Sequence, residues 1–454
     1  MSLLQSLRAG GRHGLASQET RDPIGYAVAA LHRLAHSDLL DRTRLRRPTE
    51  RAVFTATRGG FRVATAAGRT FRRVGSPRTA GLRPPATAAS GVFDLTPTED
   101  EQLLLDVARE LAAEVLRPAA AEADAACAAP VEVLRAAQEL GLPLLGLPDA
   151  LGGVFADRST MAGALVAEAL GHGDLGLAVA TLAPGAVATA LGLWGSEEQQ
   201  QTYLPAFTGD DVAAAALALT EPRVLFDVLE PTTRAERRNG RIVLDGVKSA
   251  VPRGAEAELF VVGALLEGSP VLVLVEAGTP GLVVGADPSM GVRAAGLTRL
   301  ELTGVSVPET AVLGDTDGAA YRECVRLSRL AWCALAVGVG QAVLDHVTPY
   351  VKQREAFGEP IAHRQSVAFM VADMAIELQA MRLVTWKAAS RAAAGKDCAR
   401  EVALARQLCA RHGMRIGLDG VQLLGGHGFV KEHPVERWYR DLRAIGVMEG
   451  AVLI

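Results

Sequence analysis

Between about residues 214 and 312 the chain changes periodicity, and this change constrains its fold more than any other feature. AAALALTEP, GRIVLDGVKS, LFVVGALL, PVLVLVEA, GLVVG and TRLELTGVSV are short runs rich in β-branched residues, separated by Gly, Pro and charge clusters. Such runs read as six or so strands of an antiparallel β unit. Helical spacing precedes them over 101–140 and 160–210 and resumes from Tyr321 to about Gly446 in long Ala/Leu-rich segments. Helix–sheet–helix, in that order, predicts an α+β fold that is mainly α. No internal repeat and no GxGxxG fingerprint stands out, which disfavours a doubly wound dinucleotide fold.

The expected organisation is a basic extension and linker over 1–91 and a helical domain over 92–213. A β domain over 214–312 and a second helical domain over 313–454 follow. SPRTAGLRPPATAASG at 76–91 reads as the linker, and Thr96 or Thr98, ahead of Glu99, Asp100 and Glu101, as the cap of the first helix after it. A length of 454 residues suits two or three packed units, and an aromatic content of 4 % suits helices packed through Ala, Leu and Val. Cys127, Cys324, Cys333, Cys398 and Cys409 are scattered without a CxxC, which fits free thiols in a reducing cytoplasm. No His/Cys/Asp cluster has metal-ligand spacing, so no metal is expected. His427 and His433 read as packing residues.

Charge is unevenly spread. Residues 1–90 hold 16 Arg and no Lys against 5 acidic residues, while the whole chain has a formal charge of −4. Ile24, Val28, Leu31 and Leu34 recur there at helical spacing, beside Arg33 and an Arg42–Arg47 cluster. Three roles fit this arm: an organelle transit peptide, a peripheral contact with anionic lipid, or an element docked on the acidic body. No apolar run reaches the ~18–20 residues of a membrane span, and the first residues lack the core of a secretory signal. The expected location is cytoplasmic, with membrane association left open and no nucleic-acid partner.

Five separated stretches, in order, carry a resemblance to a known family. They are QELGLPLLGLPDALGG (138–153), GSEEQQQTYLPAFTGDD (195–211), ALTEP (218–222), REAFGEPIAHRQSVAFMVADMAIE (354–377) and QLLGGHGFVKEHPVERWYRDLRAIGVMEG (422–450). Together they make residues 97–454 resemble the flavin-dependent acyl-CoA dehydrogenases. The resemblance implies a helical domain, a small β-barrel domain and a four-helix C-terminal domain. Homodimers or homotetramers are usual, and heteromers with a paralogue are known. It also implies FAD as cofactor, an acyl-CoA substrate and an electron-transfer flavoprotein or similar acceptor.

In that family a carboxylate removes the proton next to the thioester while a hydride leaves the following carbon for the flavin. A water-poor slot strengthens such a base. The resemblance places it at Glu449, with Ile445, Val447 and Met448 as an apolar setting. Flavin contacts carried over are Thr220 on the β domain, Arg354, Phe357 and Gln365 in RxxFGxxxxxxQ, and Gln422, Gly425 and Gly426 in QLLGG. In the family, the C-terminal contacts come largely from neighbouring subunits. Arg329 serves acyl-CoA or helix packing.

The pattern is broken around the flavin ring. The usual TEPxxGSD reads TEPRVLFD, so Leu225 and Phe226 replace Gly and Ser, and the later W-x-T reads Ala250-Val251-Pro252. Phe has no hydroxyl and Pro no N–H. Losing two or three hydrogen bonds would weaken flavin by roughly one to three powers of ten. The family's EGTSxIQ tail also reads EGAVLI. An active dehydrogenase with altered ring contacts, a degenerate subunit that needs a competent paralogue, and an acyl-CoA-binding protein without catalysis all remain open.

Overall fold

A computed structural model describes residues 95–209 and 211–454. The basic arm, with its apolar stripe and Arg cluster, lies outside the described residues. The first helix, α1 (Glu99–Leu111), opens on a capping box: Glu101 N–H donates to Thr98 Oγ1 (3.2 Å) and Thr98 N–H to Glu101 Oε2 (3.0 Å). This satisfies two of the donors a helix start leaves unpaired. A π turn at Ala112–Leu116 carries it into α2 (Arg117–Ala126), and α3 (Val131–Glu139) follows. Next come α4 (Thr160–Gly173), α5 (Leu175–Trp194), α6 (Glu197–Tyr203) and α7 (Pro205–Thr208).

Helix α5 corrects an expectation. Its 20 residues carry no charge and have a mean hydropathy of 1.7, long and apolar enough by composition to span a bilayer. α8 (Ala319–Gln353) passes the same test. Both are buried in the body, and a helix that is packed on all sides is apolar on all sides.

The β unit has eight strands: β1 (Ala215–Ala218), β2 (Arg234–Arg238), β3 (Arg241–Val251), β4 (Leu259–Leu266), β5 (Ser269–Glu276), β6 (Leu282–Ala286), β7 (Thr298–Pro308) and β8 (Val312–Leu313). They form one sheet in the order β6-β7-β3-β2-β4-β5-β8, with β1 on β4. It is mixed rather than wholly antiparallel, because β4 pairs in parallel with β1 and with β2. A loop and the β2–β3 hairpin separate these partners in sequence, which gives the chain length to return in the same direction.

Four helices end the chain: α8, α9 (Gln365–Ala393), α10 (Ala399–Leu424) and α11 (Val435–Ala444). α8 is the spine, buried without interruption from Leu330 to Gly340. It meets α4 almost backbone to backbone, since a Cβ on Gly338 would lie 2.0 Å from the Glu168 carbonyl oxygen. Glu168 in turn accepts from Arg382 Nε and Trp386 Nε1 of α9, both at 2.8 Å.

A buried acidic network ties the two helical domains to the sheet. Asp174 caps α5 through Leu177 N–H (3.0 Å) and accepts from Arg437 Nε of α11 (2.9 Å). Asp441 accepts from Val292 N–H at 2.7 Å. Burial, and then the nearby Asp174 charge, push the Asp441 carboxyl up to about 8.

Candidate functional site

The segment that follows β1 and the segment that follows α11 meet. Ala218 bridges Gly450 in antiparallel fashion. Thr220 Oγ1 donates to the Glu449 carbonyl (2.8 Å) and accepts from Glu449 N–H (3.2 Å). The Gly450 carbonyl accepts from Ser328 Oγ (2.7 Å) and Trp332 Nε1 (2.8 Å) of α8. Gly450 has φ +72°, and a Cβ there would sit 2.9 Å from Leu219 Cγ, so only glycine suits the turn. Both backbone groups of Glu449 and the carbonyl of Gly450 are thus held by partners far away in sequence.

The loop after Thr220 is held from below. Glu221 accepts from the N–H and hydroxyl groups of Thr232 and Thr233, and from the fully buried Lys248 ammonium (2.9 Å). Burial opposes the Glu221 charge, but Lys248 and the threonine donors overcome it and hold the carboxyl at about 2. Burial pushes Lys248 down to about 8.

The Glu449 side chain is 10 % exposed. Its setting is ionic rather than the apolar one expected from its sequence neighbours. Arg329 binds the carboxylate in a fork, Nε to Oε2 at 3.0 Å and Nη2 to Oε1 at 2.8 Å. Arg406 of α10 adds Nη2 to Oε1 at 3.1 Å. Ile445 and Met448 are buried, but Val447 points to solvent at 69 % exposure. In a turn, adjacent residues face different ways, so adjacency in sequence does not define an environment. Burial lowers the Arg406 pKa; for Arg329 the Glu449 bond outweighs burial and raises it. Arg406 is a site residue that sequence reading missed, and nothing in its helical surroundings marks it. Its Nη1 is buried without a hydrogen-bond partner among the described residues.

A second group gathers elsewhere. Arg354, Phe357, Gln422, Gly425 and Gly426 line a cleft of about 620 Å³, and Gln365 opens α9 between two lining residues, Arg364 and Ser366. Gly425 ends α10 at φ +60° and ψ −130°, and neither glycine would bring a Cβ within 4 Å of anything. Arg354, Arg364 and the positive end of a 29-residue helix make this cleft suited to an anion such as phosphate. Phe357 is 96 % exposed, with the Arg364 guanidinium 5.7 Å from its ring centre. Thr220, Arg329 and Glu449 do not share this cleft.

Around the expected flavin ring the donors are already engaged. The single Thr220 hydroxyl proton goes to Glu449. Ser249 Oγ and Ala250 N–H both donate to Asp287, at 2.6 and 2.8 Å. Leu225 stands 94 % exposed in a left-handed conformation, φ +55°, where the family's glycine is at ease. The residues present therefore fit the phosphate end of a flavin dinucleotide better than its ring.

Three family models match the chain in sequence order: the acyl-CoA dehydrogenase N-terminal domain over 98–210, the middle domain over 216–305 and the C-terminal domain over 318–452. Cyclohex-1-ene-1-carbonyl-CoA dehydrogenase of Geobacter metallireducens is 35 % identical over 362 residues, spanning 78 % of this chain and 95 % of that protein. The chain belongs to the acyl-CoA dehydrogenase family. Human mitochondrial short-chain specific acyl-CoA dehydrogenase is 31 % identical, covering 78 % of this chain and 87 % of its own. The structure of butyryl-CoA dehydrogenase from Megasphaera elsdenii superposes with a TM-score of 0.72 at 27 % identity, over 79 % of this chain and 96 % of that one. As a member of this flavin-dependent family, the chain is an oxidoreductase of the acyl-CoA dehydrogenase type.

Proposed function

We propose that the chain catalyses α,β-dehydrogenation of an acyl-CoA thioester, with Glu449 as the base that takes the α-proton. The observation that carries this reading is the placement of Glu449. Its backbone is pinned by Thr220 on the sheet side, and the next carbonyl by Ser328 and Trp332 on the helical side. A backbone so pinned keeps its position while a substrate exchanges in front of the side chain. Arg329 and Arg406 hold the carboxylate when no substrate is present. Productive binding must then turn an oxygen of Glu449 from Arg406 toward the α-carbon, with Arg329 remaining as the orienting partner.

FAD is the cofactor of this reading, and when bound it supplies the acceptor for the β-hydride. Arg354, Gln365, Gln422, Gly425 and Gly426 would hold its phosphate-bearing half, and the Thr220 segment would border its ring. Those two groups of residues form separate sites within one chain, which supports a dimer or higher oligomer in which one copy completes another's flavin site. An electron-transfer flavoprotein or similar carrier would reoxidise the cofactor.

The engaged donors around the ring support a second reading, a subunit that needs a flavin-competent paralogue. One experiment separates the two. Protein purified alone is reconstituted with FAD and mixed with acyl-CoA in D2O, and α-deuterium incorporation is followed. The first reading expects a yellow protein that exchanges the α-proton, and a Glu449→Gln variant that stays folded and does not. Undiminished turnover in that variant would overturn the base assignment. A colourless protein that becomes active only with a paralogue would establish the second reading.

A further inference from the structure

We propose that His427, Glu432 and His433 form a binding site for one divalent transition-metal ion of the zinc, nickel or cobalt class. His427 lies on the turn at Gly425–Phe429, and Glu432 and His433 lie just ahead of α11. One ligand atom from each comes within 4.8 Å of the other two. The chain has nine histidines, and three of them, His346, His427 and His433, meet around this turn.

The distances favour coordination with little movement. Ligands at ~2.0–2.1 Å from a tetrahedral ion stand ~3.3 Å apart. His427 Nδ1 is already 3.2 Å from Glu432 Oε2. The remaining separations close by side-chain rotation, because His427 and Glu432, paired with each other, are exposed. His433 is the fixed member. Its Nδ1 is 3.1 Å from His346 Nε2 of α8, and its ring meets those of His346, Tyr350 and His427 edge-on at 5.3, 5.7 and 6.0 Å. That contact orients the imidazole, as a hydrogen-bond partner on the other ring nitrogen does at metal centres, leaving Nε2 as the ligand atom.

Donor chemistry selects the ion. Two imidazoles and one carboxylate suit zinc, nickel or cobalt, whereas magnesium and calcium require a shell of oxygens. Solvent exposure leaves room for water to complete the coordination. The ion would clip residues 427–433 into one conformation, on the rim of the cleft that His427 shares with Gly425 and Gly426. Sequence spacing conceals the site because the turn between α10 and α11, not a helical repeat, brings the ligands together.

The test uses the full-length protein, stripped with a chelator and titrated calorimetrically with ZnCl2, NiCl2 and MgCl2. Wild type should take up one equivalent of Zn²⁺ or Ni²⁺ that His427→Ala, His433→Ala and Glu432→Gln each lose, and that Mg²⁺ does not replace. His346→Gln should weaken that equivalent by ~10–100-fold, as loss of a supporting partner does. His363→Ala, which breaks an exposed His363–Glu359 pair elsewhere, should change nothing. Circular dichroism without metal establishes that each variant is folded, and zinc should raise the melting temperature of wild type and His363→Ala but not of His427→Ala, His433→Ala or Glu432→Gln. Identical zinc titrations of wild type, His427→Ala and His433→Ala would overturn the proposal, as would the absence of a Zn²⁺ equivalent in wild type.

Discussion

A single hydroxyl, that of Thr220, closes both backbone polar groups of Glu449 across 229 positions of sequence. Resemblance to the family assigns Thr220 to the flavin, yet in this structure its one proton is committed to the Glu449 carbonyl. Thr220 is thus a positioning residue for the segment that carries the carboxylate. Thr220→Val keeps the shape and removes both bonds, leaving two backbone groups unpaired at ~1–3 kcal/mol for a buried group. The variant should melt earlier and lose kcat more than KM rises, whereas Thr220→Ser should recover both. Wild-type kcat in the valine variant would contradict the role.

The clamp on Glu449 predicts strong coupling between its members. Removing the carboxylate leaves two guanidinium groups facing each other, and removing Arg406 relieves that repulsion. In a double-mutant cycle, Glu449→Gln with Arg406→Met should therefore cost less stability than the two single changes added, by ~0.5–3 kcal/mol. Chemical denaturation of the four proteins measures it. Additive effects would mean that Arg406 does not share the carboxylate in solution.

Asp441 predicts a pH dependence. Its folded-state pKa, near 8, lies above the ordinary carboxyl value of 3.8. The folded state then holds a proton that the unfolded chain releases, so the contribution to stability is complete below about pH 4. It declines as pH rises and is gone above about 8. Asp441→Asn keeps an acceptor for Val292 N–H without the charge. The variant should match wild type near pH 4 and melt at a higher temperature near pH 8–9. A constant difference across that range would exclude Asp441 as the titrating group.

How much of this was legible in the sequence depends on what each residue touches. Strands β3, β4, β5 and β7 show as β-branched runs because both their faces or one whole face enters the core. β2, RAERR, did not show: four of its five side chains are charged and exposed, and only Ala235 points inward. It is a strand because β3 and β4 flank it, a tertiary cause that its own residues do not carry. The motif singles out Glu449, but the two arginines that hold it come from α8 and α10, and no local pattern links them to it. The phosphate-type cleft was legible as a set because its residues lie in two contiguous motifs that the four-helix domain folds together.

The altered ring segment predicts a gain of function. Leu225 occupies a left-handed conformation that costs an ordinary residue roughly 1–2 kcal/mol, and Phe226 half-buries its ring where the family has a serine. The double change Leu225→Gly and Phe226→Ser should remove the strain and restore a hydroxyl. FAD affinity, read from quenching of flavin fluorescence, should rise by roughly ten-fold or more for one recovered hydrogen bond plus the freed space. Unchanged affinity would show that residues 225 and 226 do not border the ring.

Assembly gives the last prediction. Phe369, Ile376 and Leu383 stand exposed at seven-residue intervals along α9, an apolar line on a helix whose start borders the phosphate-type cleft. If a second copy covers this line, Ile376→Glu should shift the protein to a smaller species in sedimentation and lower its flavin content in parallel. A monomeric wild type at micromolar concentration would rule out the shared flavin site.

Gly338 carries a consequence for how this chain can diverge. The contact it makes is with the carbonyl of Glu168, a main-chain atom that no substitution can shrink, and Glu168 is itself tethered to α9. Descendants of this sequence therefore inherit glycine at 338, or they lose the close approach of α4 and α8.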